Sequence, residues 1–371
     1  MPRYLISGKN DRGQTTMEAV KAPNPDEAVR RFKARGFIDV VLHSDEVLGQ
    51  MLQPEALKRL SPGELHALGR LSRWQTMGRM IVCVYRKQWW LFAAAIALVL
   101  GRRIIGVPWN FLDTLAIAFL GLPAAIVVMG EFFNPARKYD RVMTYNAWAR
   151  WAEMLAALPS VRWAVPALQY AFHEAKALAG LGRIDEALDR VKPFADDPRT
   201  PAWLYWGQLA DVYSSAQLGE RVIECGEKAV ENAPNNVTVL IDLAMSLLRY
   251  RRDAARAKPL LEQARTYEIS DVILPFLLMC EGAVALEEKK PDQARKLIEC
   301  ALLAVEKYRH ASPLMGAGVD RMHTYLALAC AASGDSLAAK KYYRIAEPRL
   351  KAFDATDLIE RCQAVIGRGG N

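Results

Sequence analysis

Residues 203–236, WLYWGQLADVYSSAQLGERVIECGEKAVENAPNN, decide the fold of this chain. Their first half places Trp206, Leu209 and Tyr213 at steps of three and four residues, the period of an α-helix. The second half contains Ala229 and, near its end, Pro234, a residue that stops a helix. The stretch therefore predicts two helices joined by a short turn.

The same pattern recurs at a spacing of about 35 residues in the back half of the chain. A small residue closes each stretch: Ala229, Ala264, Ala301 and Ala346. A second small or aliphatic residue lies upstream of each: Val222, Ala257, Ala294 and Ala339. Small residues lie where two helices approach closely, so the pattern predicts helix pairs. One pair cannot bury its apolar face alone, and neighbouring pairs must stack.

These units resemble the tetratricopeptide repeat over roughly residues 163–350. Besides the unit at 203–236, one unit ends in GLGRIDEAL with Gly182 at its turn. Two further units begin near Pro275 and near Asp320. The resemblance implies an α-solenoid, an architecture that usually holds partners rather than performing chemistry.

Two places depart from a regular repeat. In the unit from Val237, Arg251 and Arg252 replace the turn glycine, and one extra residue precedes Ala257. The interval from Ala301 to Ala346 is longer than the other intervals between repeats. It contains RHASPLMGAG, residues 309–318, which predicts an extended loop between two units. After the last unit, Asp357 to Ile366 are expected to form a capping helix.

The resemblance also implies a groove, lined by the first helix of each pair, that takes peptide segments or helices. Placing this sequence on the family's pattern gives the groove candidates Gln169, Phe172, Lys176, Asp211, Ser215, Arg249, Met279, Glu287, Arg321 and Thr324. The mixture is neither strongly basic nor strongly acidic. The residues with which one subtype of the family clamps a terminal carboxylate are missing.

The formal charge of +8 lies entirely in the front half. Residues 1–160 hold 21 basic and 13 acidic side chains, whereas residues 161–371 hold 28 of each. The excess is densest between Lys58 and Lys87, where Glu64 is the one acid. Such a cluster attracts nucleic acid or an anionic lipid surface.

Two apolar runs follow this cluster and favour lipid. The second run, residues 111–130, is long enough to cross a hydrocarbon core of about 30 Å. The first, residues 89–100, is short and needs 104–107 to continue its helix while the two arginines between them reach the headgroups. We expect a transmembrane hairpin over 88–131. A buried hairpin in a soluble domain is the alternative.

Basic residues flank both outer ends of the hairpin, which predicts that both termini are cytoplasmic. The bacterial inner membrane is the setting implied by the resemblance of the N-terminal module described below. A re-entrant hairpin would leave the termini on the same side. The residues expected at the membrane surface are Arg70, Arg73, Arg79, Arg86, Lys87, Trp89 and Trp90. Asp113, near the edge of the second run, is interpreted as a helix cap.

Residues 1–45 predict a separate ββαβ unit. RYLIS and TMEAVKA form two strands, a helix opens at Pro25 and stops at Gly36, and DVVLH forms the third strand. This order resembles the N-terminal module of inner-membrane secretion and pilus-assembly platform proteins.

Two connecting segments complete the division. Residues 46–87 predict a basic amphipathic helix that starts in a capping box at Ser61. It lies on the membrane or packs on a neighbouring module; the pattern suits both. Residues 132–160 predict a connecting helix over 145–158 whose two tryptophans pack on the first repeat, and residues 161–367 hold the repeats and the cap.

The chain shows no nucleotide, zinc or hydrolase motif, and its histidines lack ligand spacing. The six cysteines are interpreted as apolar fillers. We therefore expect no catalytic site, metal, cofactor or nucleic-acid partner.

The predicted fold is mainly α: a solenoid, a membrane hairpin and a small α+β module. The predicted function is a membrane-anchored interaction scaffold that serves an envelope, secretion or pilus assembly. The alternative is a non-catalytic regulatory subunit or small-ligand-binding protein acting through the ββαβ module.

Overall fold

The chain is mainly helical with a small N-terminal sheet. The computed structural model describes residues 3–9, 15–22, 25–42, 62–67, 71–90, 93–97, 100, 112–133, 135–309 and 312–368.

The N-terminal module has the predicted order of elements. Strands β1 (Arg3–Lys9), β2 (Thr15–Lys21) and β3 (Ile38–Leu42) form an antiparallel sheet in the order β2-β1-β3, and helix α1 (Pro25–Lys33) packs on it. Phe32 is fully buried and stacks on Phe37, with 4.2 Å between the ring centroids.

The segment before the apolar runs contains two helices where one was predicted. Helix α2 (Pro62–Ala67) is short, and α3 (Arg73–Lys87) begins at its own capping box, formed by Ser72 and Gln75. The prediction of one continuous helix was wrong because this second cap starts a new one. The predicted cap at Ser61 lies outside the described residues.

Helix α4 (Leu112–Phe133) follows and packs against α3. Residues 93–97 are also helical. Within the residues that the structure describes, no helix combines the length and the apolarity needed to cross a lipid bilayer. The side chain of Asp113 lies outside the described residues.

The predicted connecting helix is broken. Helix α5 (Pro135–Ala147) ends before Ala149, whose φ of 50° is left-handed, and α6 (Trp151–Ala157) begins after it. Trp148 and Trp151 are both buried. Trp151 packs against Gly180 of the next helix, as predicted, whereas Trp148 lies against Arg349 and Glu64 and not on the first repeat.

Five helix pairs follow, each packed internally and against its neighbours. The pairs are α7 (Ala167–Gly180) with α8 (Ile184–Val191), α9 (Ala202–Ser215) with α10 (Gly219–Asn232), α11 (Val237–Ser246) with α12 (Ala254–Arg265), α13 (Leu274–Glu287) with α14 (Pro291–Glu306), and α15 (Pro313–Ala332) with α16 (Ser336–Ala352). Helix α17 (Thr356–Arg368) ends the array at the predicted place.

The turn inside each pair uses one left-handed residue. These residues are Gly182, Gln217, Arg252, Lys289 and Gly334. Two of the five are glycine, which adopts this conformation freely. The other three adopt it at a steric cost, because their Cβ atoms crowd the backbone. Packing of the two helices therefore imposes the turn geometry where the sequence does not favour it.

The small residues of the repeat lie where they were predicted. All eight, from Val222 to Ala346, are buried, and the seven alanines among them are essentially inaccessible. Gly282 shows how close the helices come, since a Cβ there would lie 2.6 Å from Ile298 of the paired helix. The extra residue before Ala257 is absorbed by a π-helical turn, Leu247–Arg251, at the end of α11.

The predicted loop at 309–318 is mostly helix. Ser312 caps α15 and Pro313 occupies its first turn, so the helix starts early and runs for 20 residues. Gly316 and Gly318 lie inside this first part, and a Cβ at Gly318 would lie 2.9 Å from Phe276. These glycines permit close packing here and do not mark a loop.

Candidate partner-binding cavity

The first helices of the pairs, α7, α9, α11, α13 and α15, form one face of the array, which we call the inner face. Three predicted groove residues are buried within the array instead of on this face. Phe172, Met279 and Thr324 are each at most 1% exposed. Their assignment as partner-binding residues was wrong, because a helix register read from spacing alone does not fix which side chains face the core.

Two more groove candidates are already engaged by the C-terminal helix. Arg249 donates to Asp357 on α17, with 3.4 Å between Nε and Oδ2, and to Gln217 at 2.9 Å. Glu287 accepts from Arg361, also on α17, and from Arg252. Helix α17 therefore covers this part of the inner face.

A cavity of about 120 Å³ remains open between α9 and α11. Its lining combines helix walls, a floor of small residues from α10, and Arg321 from α15. Asp211 and Arg321, both predicted from the sequence, meet here. Asp242, Ser214 and Tyr250 also line it, and sequence analysis missed them.

Two carboxylates line the cavity, and only one of them forms an ion pair. Asp211 accepts from Lys176, with 3.1 Å between Oδ2 and Nζ. Asp242 forms no ion pair with any residue that the structure describes. Asp242 is itself exposed to solvent at the mouth of the cavity. The surrounding helices partly desolvate its carboxylate, which together with the nearby Asp211 raises its pKa, while Arg321 lowers it.

Of the remaining groove candidates, Ser215 lies at the edge of this site and Gln169 does not. Ser215 donates to the carbonyl oxygen of Asp211 at 3.0 Å, and Ser214 lies 3.3 Å from the hydroxyl of Tyr250. Gln169 is exposed on α7. The structure thus gathers Asp211, Arg249 and Arg321 around the cavity, with Lys176 paired to Asp211, and leaves Gln169 apart.

The residues predicted at the membrane surface are exposed wherever the structure describes them. Arg73, Arg79, Arg86, Lys87, Trp89 and Trp90 all face outward, and Arg70 lies outside the described residues. We call the described residues of 73–100 the first arm and helix α4, Leu112–Phe133, the second arm. Large apolar side chains on these two arms are exposed as well. They are Trp74, Val82, Ile96, Leu100, Ile117, Leu122, Ile126 and Met129.

A buried charge cluster joins these arms to the array. Arg349, only 5% exposed, donates to Asp320 at 2.7 Å and to the carbonyl oxygen of Ala147. Its guanidinium also lies 3.8 Å from the ring centroid of Trp148 and 3.5 Å from a carboxylate oxygen of Glu64. Glu64, the one acid of the basic segment 58–87, is part of this cluster.

Four cysteines follow the prediction and two do not. Cys225, Cys280, Cys330 and Cys362 are buried, whereas Cys83 and Cys300 are exposed. Burial raises the pKa of Cys225 to about 11 and of Cys362 to about 12, so both remain thiols at neutral pH. Within the described part of the chain, no cluster of three or more His, Cys, Asp or Glu side chains could hold a metal ion.

Comparison with known proteins does not add a family. No protein-family model matches this chain, and no curated protein matches it.

Proposed function

We propose that this protein is a membrane-anchored interaction scaffold, in which tetratricopeptide-like helix pairs hold a protein segment near the cytoplasmic face of a bacterial inner membrane. The observation that carries the proposal is the coexistence of an ordered array of helix pairs with two arms whose large apolar side chains are exposed. Exposed apolar surface of this kind marks a membrane or protein interaction site.

The membrane part of the proposal is supported by where the apolar and basic residues lie. Exposed apolar residues extend from Val82 to Leu100 on one arm and from Ile117 to Met129 on the other. The exposed basic residues Arg79, Arg86 and Lys87 lie at the start of the first arm. If the arms were inserted in a bilayer, their apolar side chains would lie in the hydrocarbon and their basic side chains at the headgroups. Each kind of side chain would then lie in a favourable environment.

The partner part is supported by the size and chemistry of the cavity. Pockets for small molecules usually measure about 300–1,000 Å³. A cavity of about 120 Å³ is smaller and suits one or two side chains of a bound polypeptide segment. Asp242 and Arg321 would then select polar or charged side chains on that segment.

Photo-crosslinking in native membranes tests this function. A crosslinking residue replaces Ser246, which lines the cavity, or Glu231, which is exposed at the end of α10. We expect a discrete crosslinked protein from position 246 only, and its loss when Asp242→Asn and Arg321→Gln are added. The same products from both positions, or products unchanged by the two added substitutions, would contradict binding at the cavity.

A further inference from the structure

A second cavity lies on the other side of α9, between α8 and α10. It measures about 480 Å³, and none of its lining residues lines the first cavity. Aromatic side chains of α9 form one wall, α10 forms another, and the end of α8 forms the rim. The cavity therefore opens on the side of the array that the second helices form, away from the inner face.

The early end of α8 leaves this cavity open. Helix α8 is 8 residues long, whereas the second helices of the other four pairs have 12 to 17. Pro193, in the 3-10 turn Lys192–Phe194, lacks the N–H group that would continue α8. At the three later junctions the second helix of one pair packs against the first helix of the next, but α8 and α9 do not come as close. A surface of α9 is thus left uncovered.

This surface of α9 carries aromatic rings in a fixed arrangement. The rings of Tyr205 and Trp206 meet edge to face, with 5.4 Å between their centroids and 80° between their planes. From α10, Lys228 Nζ lies 4.2 Å from the centroid of the Trp206 ring. Tyr213 follows Trp206 by seven residues, which places it about 10 Å further along the helix axis. Aromatic side chains therefore line the cavity at two levels.

The same side chains hold hydrogen-bond donors without acceptors. The hydroxyls of Tyr205 and Tyr213 and the indole N–H of Trp206 form no hydrogen bond with any residue that the structure describes. Desolvation by burial raises the pKa of both tyrosines above its usual value, so both hydroxyls keep their protons at neutral pH. A bound ligand with free acceptors would satisfy these three donors.

The charges of the lining are nearly balanced. Lys192, Arg221 and Lys228 provide three positive charges, and Asp189 and Glu224 provide two negative ones. Arg221 and Glu224 already pair with one another at 2.7 Å. The cavity therefore suits an uncharged ligand that offers acceptors and flat apolar surfaces, and it does not select a strongly charged one.

We propose that this cavity binds an extended, proline-containing segment of a partner protein in the polyproline II conformation. Such a segment leaves its carbonyl oxygens unpaired and repeats every three residues, or about 9 Å. Prolines three residues apart would then pack on Trp206 and Tyr213, and carbonyl oxygens between them would accept from the tyrosine hydroxyls. A helical segment pairs its own carbonyl oxygens and would leave these donors unsatisfied.

Fluorescence anisotropy of labelled peptides, titrated with the full chain in an uncharged detergent, tests this site. The probes are decaproline, a glycine–serine peptide of the same length and a helical alanine–lysine peptide. We expect saturable binding of decaproline alone. Tyr205→Phe with Tyr213→Phe retains both rings and should weaken this binding at least about fivefold, because two hydrogen bonds are lost. The matched control Tyr308→Phe with Tyr342→Phe removes two partly exposed hydroxyls elsewhere in the array and should retain the wild-type affinity.

Photo-crosslinking with decaproline locates the bound peptide. A crosslinking residue at Ala195, which is exposed at the rim of this cavity, should capture decaproline, whereas one at Ser246 in the first cavity should not. Four results would overturn the inference: no saturable binding of decaproline, equal binding of either other peptide, equal weakening by the two tyrosine pairs, or capture from position 246 and not from 195. Tighter binding of the helical peptide would show that a helix occupies the cavity instead.

Discussion

The helical array and the two arms before it are both rich in large apolar residues, but they place them oppositely. In the array Leu240, Leu277 and Leu328 are at most 2% exposed. In the arms Leu122 and Ile126 are at least 58% exposed. In the array, stacked helix pairs bury the apolar side chains. In the arms, the described part of the chain leaves large apolar side chains exposed.

This difference shows that composition does not distinguish a core from an interaction surface. Helices α8 and α10 of the array carry charged residues on one face and buried apolar residues on the other, so one face stays in water. The second arm is almost wholly apolar and the first also carries exposed arginines, and large apolar side chains of both arms stay exposed although their helices pack on one another. An apolar solvent such as a bilayer, or a protein partner, is needed to cover the rest.

Among the substitutions considered, we expect the largest change in the free energy of unfolding where the arms join the array. Replacing Arg349 with Met leaves the carboxylates of Glu64 and Asp320 buried without their partner, which should lower the free energy of unfolding by about 3–5 kcal/mol. Arg344→Met on the same helix removes an exposed arginine and should change it by less than about 0.5 kcal/mol. Urea unfolding in detergent, followed by circular dichroism, measures both. Similar losses in the two variants would refute a buried junction.

A matched pair of leucines compares the regions directly. Leu240→Ala in the array should cost about 2–5 kcal/mol of unfolding free energy because it leaves a cavity in the core. Leu122→Ala in the arms removes an exposed side chain and should cost less than about 1 kcal/mol in detergent. The comparison fails if Leu122→Ala is the more damaging of the two.

The junction should also respond to pH through His173. Its Nε2 lies 2.9 Å from the hydroxyl of Tyr139 on α5, and burial, helped by Lys176 and opposed by Asp211, lowers its pKa from 6.5 to about 4. Between these values the unfolded chain binds the proton more readily, so unfolding free energy should fall as pH drops from 6.5 towards 4, by about 3 kcal/mol in all.

Unfolding measured at several pH values checks this expectation. In His173→Gln that part of the pH dependence should vanish, while the remaining carboxylates keep their own contribution. A variant with the same slope as the wild type between pH 4 and 6.5 would show that His173 is not the group responsible.

Replacing two glycines with alanine should give the smallest changes in stability, and the two changes should have opposite signs. A Cβ at Gly180 would collide with the indole of Trp151, so Gly180→Ala should destabilise the array by about 1–3 kcal/mol. Gly207 lies in the middle of α9 with open space around it, and Gly207→Ala should stabilise it by about 0.5–1 kcal/mol. Thermal unfolding of the two variants measures the difference. Shifts of the same sign would contradict the close approach of α6 and α7.

The period of the small residues is what made the array predictable. Ala229, Ala264, Ala301 and Ala346 recur because each pair of helices needs a small residue at its closest approach. Turns at Gly182 and Gly334 were recognisable for the same local reason. Gln217 and Lys289 adopt the same left-handed conformation without being glycine, so no local signal could identify them.

The parts that escaped prediction depend on contacts distant in sequence. Glu64 meets Arg349 across 285 positions, and Gln217 donates to the carbonyl oxygen of Phe353 at 2.8 Å. Such contacts depend on how distant helices pack against one another, which the spacing of residues along the chain does not reveal. The occupation of Arg249 and Glu287 by α17 has the same origin.

Solvent accessibility at two exposed apolar positions tests the central claim most directly. A nitroxide label is attached at Ile126→Cys in the arms or at Leu337→Cys in the array, where the leucine is 83% exposed, after the exposed Cys83 and Cys300 are changed to serine. In proteoliposomes we predict that dissolved oxygen relaxes the label at 126 and a water-soluble nickel chelate does not, with the reverse at 337. Equal access of the nickel chelate to both labels would contradict a lipid-embedded arm.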